Sequence, residues 1–450
     1  MQQLHVLVIA TTLWFGMPDA QSASVAVADS SKYTWTLEDV RKIALENNPD
    51  LKSARANYEG ASKGVGAAVS AYLPHVDIYA KIDQTTLPNP SAGATAQLGT
   101  SLPYKMAAAS VTQTVFDFGK ALSHISAARA TSNAAEQEAI GVRNAVILAL
   151  QKAFYDVQST VQLVDVAQKG VMKFDETLRR TEVLVRTGAK PKFDLSQARV
   201  EVAKAKLALI SAQNTHDFAR VALLNLMGIQ EQVPFTLVDQ GTPPEFKAVS
   251  SDKLALDQLI KKALEARPEM KKQEFALDAS RYNLSSELRN YLPTFSVQAW
   301  AGKYLPDYPP SIADSWGVGL VGTWHIFEGL ETTFKAGQLS AKVDSQEALL
   351  EKDRLSIISD VTRAFKGLVR SENSFQVAEE SLGASKENLY LAQRRYDADV
   401  ATILELLTAE GALLSAEAIE VTARYDHEIA LGTLRRVVNA PLIERTVGAP

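Results

Sequence analysis

The stretch Ala44–Pro74, ALENNPDLKSARANYEGASKGVGAAVSAYLP, returns as Ala263–Pro293, ALEARPEMKKQEFALDASRYNLSSELRNYLP, without a gap at an offset of 219. Pro49 and Pro268 hold the same place in the two copies, and Tyr-Leu-Pro closes both. Past Pro293 the correspondence continues at an offset of 211: Val115-Phe116-Asp117 with Ile326-Phe327-Glu328, Ala153-Phe154 with Ala364-Phe365, Leu178 with Leu389. A chain that repeats itself over such a distance is built twice. The change of offset puts an eight-residue length difference between the Tyr-Leu-Pro and Val/Ile-Phe landmarks, where a loop belongs. The division that follows is a first repeat over 33–228, a linker over 229–254, a second repeat over 255–440 and a tail over 441–450.

Between Pro103 and Pro191 there is no proline, and the residues are rich in Ala, Leu, Gln, Glu, Lys and Arg, all compatible with helix. A helix from about Lys120 to Thr187 would be on the order of 100 Å long. Its apolar positions Ile147, Phe154 and Val157 return as Ile358, Phe365 and Leu368, a three-and-four spacing suited to packing along neighbouring helices. A two-stranded coiled coil would account for these helices nearly as well. It does not account for what lies between them.

The intervening segments alternate. Over His75–Gln84 the residues Val76, Ile78, Ala80 and Ile82 face one way and Asp77, Tyr79, Lys81 and Asp83 the other. Phe295, Val297 and Ala299 oppose Thr294, Ser296, Gln298 and Trp300 in the second half. Returning strands are expected at about Tyr104–Val115 and Ser315–Ile326, with hairpins spanning about 75–115 and 294–326. Gln113 falls on the more apolar face of its strand. On the last strand Trp316, Val318, Leu320, Trp324 and Ile326 share a face, and the two tryptophans stand about 26 Å apart, roughly the height of the apolar band of a membrane β-barrel. A water-soluble sheet with one buried face alternates in the same way. In lipid, four strands cannot close a barrel, since about eight is the smallest seen and open edges are not tolerated; several chains would then have to associate.

Bulk properties exclude other classes. The net charge of −5, from 47 basic and 52 acidic residues, and the lack of any basic run argue against a nucleic-acid partner. Zero cysteines exclude disulfides, thiolate metal sites, a cysteine nucleophile and a lipid-modified cysteine. Residues 4–17, LHVLVIATTLWFGM, followed by DAQSASVAVA, have the layout of a secretory signal peptide over 1–28, with cleavage expected near Ala20, Ala23 or Ala28. No later run reaches about 18 consecutive apolar residues. Gly60–Gly64 matches the G-x-S-x-G nucleophile pattern but falls inside a predicted helix, without its strand-to-helix elbow. There is no H-E-x-x-H pair, phosphate-binding loop or dinucleotide fingerprint, so no enzyme, cofactor or metal site is expected.

These landmarks resemble the TolC family of outer-membrane efflux channels: TLEDVRKIALENNPDL, the YLP before each hairpin, QTVFDFGKA and GTWHIFEGLE after them, and the turns RTGAKPKFDLSQAR and RYDADVATILELLTAE. The resemblance covers about Tyr33 to Ala440. It implies an α+β membrane protein: a long α-helical barrel continued by a transmembrane β-barrel, four strands per chain and twelve in a homotrimer. It further implies an outer-membrane location with the helical barrel in the periplasm. The partners it implies are a periplasmic adaptor protein, an inner-membrane pump and outer-membrane lipid, and the function that of a passive exit duct. A periplasmic coiled-coil structural or adaptor protein is the alternative.

Residue by residue, the resemblance implies adaptor contact at Gly188 and Ala189 in the first turn and at Asp399 and Val400 in the second, where Asp399 replaces the usual glycine. Gly188 also suits a helix C-cap needing positive φ. The resemblance implies a periplasmic gate as well. Glu405 matches an acidic ring position, with Thr408 where a second acid would stand, while Tyr396 and Asp194 match positions that link neighbouring turns. Ala401 replaces a linking arginine. Locally, Thr402-x-x-Glu405 also reads as a capping box. Trp316 and Trp324 are expected to mark the membrane girdle.

Overall fold

The computed structural model describes residues 33–87, 100–230, 234–238, 254–306 and 312–439. The expected signal peptide, the tail, most of the linker and the tip of the first hairpin around Gly93 lie outside the described residues.

The two halves run through helices of matching length in the same order. α1 (Leu37–Asn47) and α5 (Leu256–Ala266) have 11 residues; α2 (Pro49–Val69) and α6 (Pro268–Leu288) have 21. α3 (Lys120–Arg186) and α7 (Glu331–Asp397) have 67; α4 (Lys192–Met227) and α8 (Ile403–Val438) have 36. At 67 residues each, α3 and α7 extend for about 100 Å. α3 packs against its own α4 and also against α8 of the other half, while α7 packs against α8. No described helix is long and apolar enough to cross a membrane.

Three clusters hold the helices. Around α1, Val40 and Ala44 pack with Leu150, Phe154 and Val157 of α3 and Leu223 and Met227 of α4. Around α5, Leu259 and Ala263 pack with Val361 and Leu368 of α7 and Leu431 and Leu434 of α8. Near the α7–α8 turn, Phe174, Val202, Tyr396, Ile403 and Leu406 form the third.

The short helices join by different chemistry in the two halves. Asn48 caps α2 through its Oδ1, which accepts from Asp50 N at 2.9 Å and Leu51 N at 3.2 Å, while its Nδ2 donates to Leu226 O at 2.8 Å. Arg267, a side chain with donors and no acceptor, makes no cap bond to α6, and the second joint is held by other contacts. The buried guanidinium of Arg267 donates to Glu269 at 3.2 Å and Asp360 at 3.3 Å. Asn439, the repeat mate of Gly228, donates from Nδ2 to Ala266 O at 2.8 Å. The amide that ties the joint to the end of the return helix has moved from one partner to the other.

β1 (Tyr33–Trp35) and β4 (Phe235–Leu237) form a two-stranded parallel pair, with the rings of Trp35 and Phe235 stacked 4.9 Å apart. β2 (His75–Leu87), β3 (Thr100–Phe116), β5 (Thr294–Pro306) and β6 (Ala313–Thr323) form one antiparallel sheet in the order β2-β3-β5-β6. Two expected boundaries change. The first hairpin pairs as far as Leu87 with Thr100, so both of its strands run past the expected ends at Gln84 and Tyr104. β6 ends at Thr323, opposite Thr294, so Trp324 and Ile326 lie beyond it. The physical reason is Pro293, which precedes Thr294 and has no N–H with which to extend the ladder.

β3 and β6 each lead into a long helix through two consecutive left-handed residues, Phe118 (φ 53°) and Gly119 (φ 83°), then Gly329 (φ 64°) and Leu330 (φ 67°). Asp117 supports the first junction: its carboxylate accepts from Gly119 N, Ala121 N and the Tyr72 hydroxyl. Glycine covers only one residue of each pair, so an exposed Phe or Leu holds a conformation that costs about 1–2 kcal/mol. Leu330→Gly is therefore expected to stabilise the protein by about 1 kcal/mol in denaturant titrations of the detergent-solubilised chain. A loss of stability would show that contacts of the Leu330 side chain outweigh the backbone term.

Candidate functional site: the two-faced sheet and the helical turns

The cross-strand register sorts the sheet into two faces. Val76, Ile78 and Ala80 of β2 align with Val111, Ala109 and Ala107 of β3. Val111 and Ala109 align with Ala299 and Ala301 of β5, and these with Val318 and Trp316 of β6. This face is apolar on all four strands and open to the surroundings, Ile78 being 88% exposed. On the opposite face Ser110 and Thr112 of β3 and Ser315 and Gly317 of β6 are less exposed than their neighbours along the strand. An alternation of that kind belongs to a curved sheet whose apolar side is convex. Lys303 and Asp314, paired at 2.5 Å, end the apolar face towards the hairpin tip. Gln113, on the same face at the helix end, donates to Tyr72 O at 3.4 Å. The Trp324 indole donates to Tyr291 O, the repeat mate of Tyr72, at 3.1 Å.

At the far end of the long helices two turns superpose in kind. After α3, Gly188 N donates to Val185 O at 3.1 Å and Ala189 N to Leu184 O at 2.9 Å. After α7, Asp399 N donates to Tyr396 O at 3.1 Å and Val400 N to Arg395 O at 2.9 Å. Gly188 (φ 78°) and Asp399 (φ 60°) are both left-handed, so the aspartate keeps the glycine's backbone shape. Gly188, Ala189, Asp399 and Val400 are all exposed.

Between the turns the Lys190 ammonium pairs with Asp399, which raises its pKa above the usual lysine value, and sits 5.0 Å from the Tyr396 ring centroid. Arg180 stands over the same ring at 6.0 Å and donates to Asp397 at 2.5 Å. Tyr396 is buried and its hydroxyl has no partner among the described residues. Asp194 is buried in the first turn of α4 without a bond to Tyr396. Only the threonine half of the expected capping box is present: Glu405 N donates to Thr402 Oγ1 at 3.3 Å, while the carboxylate turns to Arg395 at 3.6 Å. Further along α8, Glu410 is 2% exposed and accepts from Thr177 at 2.8 Å, and burial pushes its pKa up.

A family model for outer membrane efflux proteins matches residues 40–229 and 259–440, one match for each repeat. The chain belongs to the outer membrane efflux protein family. It is 24% identical over 411 residues to the toluene efflux pump outer membrane protein TtgC of Pseudomonas putida, covering 88% of this chain and 82% of that protein. To the outer membrane protein TolC of Vibrio cholerae it is 21% identical over 436 residues, 94% of each chain. The solved outer-membrane channel OprN has the same fold, with a TM-score of 0.77 at 19% identity over 90% of this chain and 91% of OprN. The efflux protein described here is thus an outer-membrane protein, and its family works with periplasmic adaptors and inner-membrane pumps.

Lys190, Arg180 and Glu410 escaped the sequence reading of this efflux protein. Lys190 carried a signal nonetheless, because it is the repeat mate of Ala401. The cation missing from the second turn is present at the matching place in the first. For Glu410 the sequence has no comparable signal; its mate, Arg199, is solvent-facing and pairs with Glu182 at 3.4 Å.

Proposed function

We propose that three copies assemble into a passive exit duct, in which a twelve-stranded barrel in the outer membrane continues into a periplasmic helical tube joined to an adaptor and pump. The observation that carries this reading is an imbalance between the repeats. Val421 on α8 is 6% exposed where α8 packs on α3, whereas its repeat mate Ile210 on α4 is 55% exposed. Phe193 and Leu207 lie exposed along the same helix, as Val377 and Leu391 do on α7. The α3–α8 contact within a chain has as its repeat equivalent a contact of α7 with α4 of another copy. That head-to-tail contact would also join edge strand β6 to edge strand β2, and such interfaces generate rings. Trp316 and Trp324 would mark the girdle, and the four exposed turn residues would meet the adaptor. Cysteine pairs placed on α4 and α7, at Leu207 and Val377 singly and together, test the ring in a chain that has no cysteine of its own. A covalent trimer from the double variant is expected; a monomeric chain in detergent-extracted outer membranes would refute the assembly.

The gate reading makes a second prediction. Glu405 and Asp194 are repeat mates in the first turns of α8 and α4, so a trimer would hold six carboxylates at one level. Carboxylate rings favour cations in a narrow pore. Glu405→Gln keeps the backbone bond to Thr402, so stability should stay within about 0.5 kcal/mol. Single-channel recordings are expected to show reduced cation selectivity and weaker block by divalent ions. Unchanged selectivity would leave Glu405 only its local partners, Thr402 and Arg395.

A further inference from the structure

At mid-height the concave face of the sheet is built of small and polar residues around two aromatic rings, Tyr79 and Trp300. Register places Asp77, Ser110, Trp300 and Gly317 in one row across the four strands, and Tyr79, Ala108, Gly302 and Ser315 in the next. The indole of Trp300 lies down against β6: a Cβ built on Gly317 would sit 2.9 Å from its Nε1 and 3.1 Å from its Cε2. Glycine at 317 therefore lets the ring rest on the wall instead of projecting from it. Ala108, between Tyr79 and Gly302, is only 4% exposed, so this part of the face is covered by its neighbours although the face as a whole is open. Asp77 is exposed at the other end of the Trp300 row, roughly 10 Å away at the usual strand spacing, with only the small Ser110 and its strand between. Along β2 the next charges on this face are His75 and Lys81, the latter two residues beyond Tyr79.

A fixed indole face carries negative quadrupole density and attracts desolvated cations, most of all those with apolar bodies. We propose that Trp300, Tyr79 and Asp77 form a contact station for lipophilic cations on the inner wall of the barrel, a specificity element of the duct. The proposal rests on the duct reading, because the concave face becomes a passage only when the barrel closes. The aromatic rings would take the apolar body and the carboxylate would favour positive over negative cargo. Packing of Trp300 on Gly317 alone predicts a change in stability and none in cargo preference.

The test uses the full chain reconstituted in planar bilayers, with tetraphenylphosphonium and the size-matched tetraphenylborate as blockers. Stronger block by the phosphonium is expected in the wild type. Trp300→Ala and Asp77→Asn should each raise the phosphonium concentration needed for half block roughly fivefold, the scale of one partly desolvated cation–π or charge contact. Trp300→Tyr, which keeps a ring, should retain part of the block, and Asp77→Asn should leave tetraphenylborate block unchanged. Should Trp300→Ala fail to insert, Asp77→Asn and Trp300→Tyr carry the comparison. Conducting variants with wild-type block by both ions would overturn the station and leave the duct standing. A wild-type chain that inserts but never conducts would overturn the duct reading and the station with it.

Discussion

Leu320→Arg and Val318→Arg are each expected to stop the protein from accumulating in the outer membrane. Both side chains are exposed on the convex apolar face, flanked by Trp316 on their own strand and faced by Val297 and Ala299 on β5. An arginine on the lipid face near the middle of the bilayer costs about 2–4 kcal/mol, and symmetry would repeat it in every copy. That sum is comparable with the whole stability of an ordinary domain, about 5–15 kcal/mol. The matched control is Ser110→Arg, on the concave face, where a charge would meet water and alter conductance more than insertion. Outer-membrane fractionation with heat-modifiability on gels reads both. Normal insertion of Leu320→Arg beside failure of Ser110→Arg would mean that the two faces have been assigned the wrong way round.

How legible this was depends on the kind of signal. Helix α3 could be read from the chain because 67 residues without proline leave few alternatives, and the repeat located α7 without a separate argument. Strand alternation gave the two faces, since side chains change sides at every residue and the apolar set on β2 is unbroken from Val76 to Ile82. Strand ends were less legible. Trp324 follows the period of β6 but lies past its end, because pairing stops where the partner strand begins and one strand's pattern does not record that. At the turns, positive φ at Gly188 follows from the residue type, whereas Asp399 in the same conformation does not, although Asp tolerates it better than most residues. Buried polar groups were the least legible. Nothing in the neighbours of Glu410 along the chain announces that α3 brings Thr177 to it.

The repeat is more informative where it fails than where it holds. Asn48 and Gly228 in the first half correspond to Arg267 and Asn439 in the second, so the asparagine and the position it leaves have changed together. Lys190 and Ala401 show the same at the turns: a charge needed once between two turns need be carried by only one of them. Each half preserves the backbone geometry, and side-chain bonds are redistributed around it.

Gly228 shows what that redistribution forbids. It ends α4 at φ 73°, where its N–H and that of Ile229 close the last turn on Asn225 O and Leu224 O, each at 3.0 Å. An added Cβ would lie 2.7 Å from Asn47 O and 2.9 Å from Asn47 C, backbone atoms held by the α1–α2 joint and unable to swing aside as a side chain would. Gly228→Ala thus combines a left-handed penalty of about 1–2 kcal/mol with a clash that must move the joint, and a loss of about 3 kcal/mol or more is expected. At the mate position, Asn439 already carries a Cβ at φ 51°, and its side chain bonds Ala266 O at 2.8 Å and Asn144 at 2.9 Å. Asn439→Ala keeps the left-handed cost and loses these two bonds, an expected loss of about 1–3 kcal/mol. Asn439→Gly should recover part of it by relieving the backbone. Denaturant titration of the three variants in detergent measures the order, with Gly228→Ala the least stable. If Gly228→Ala proved no worse than Asn439→Ala, the close approach of α4 to the first joint would not be a constraint on this fold.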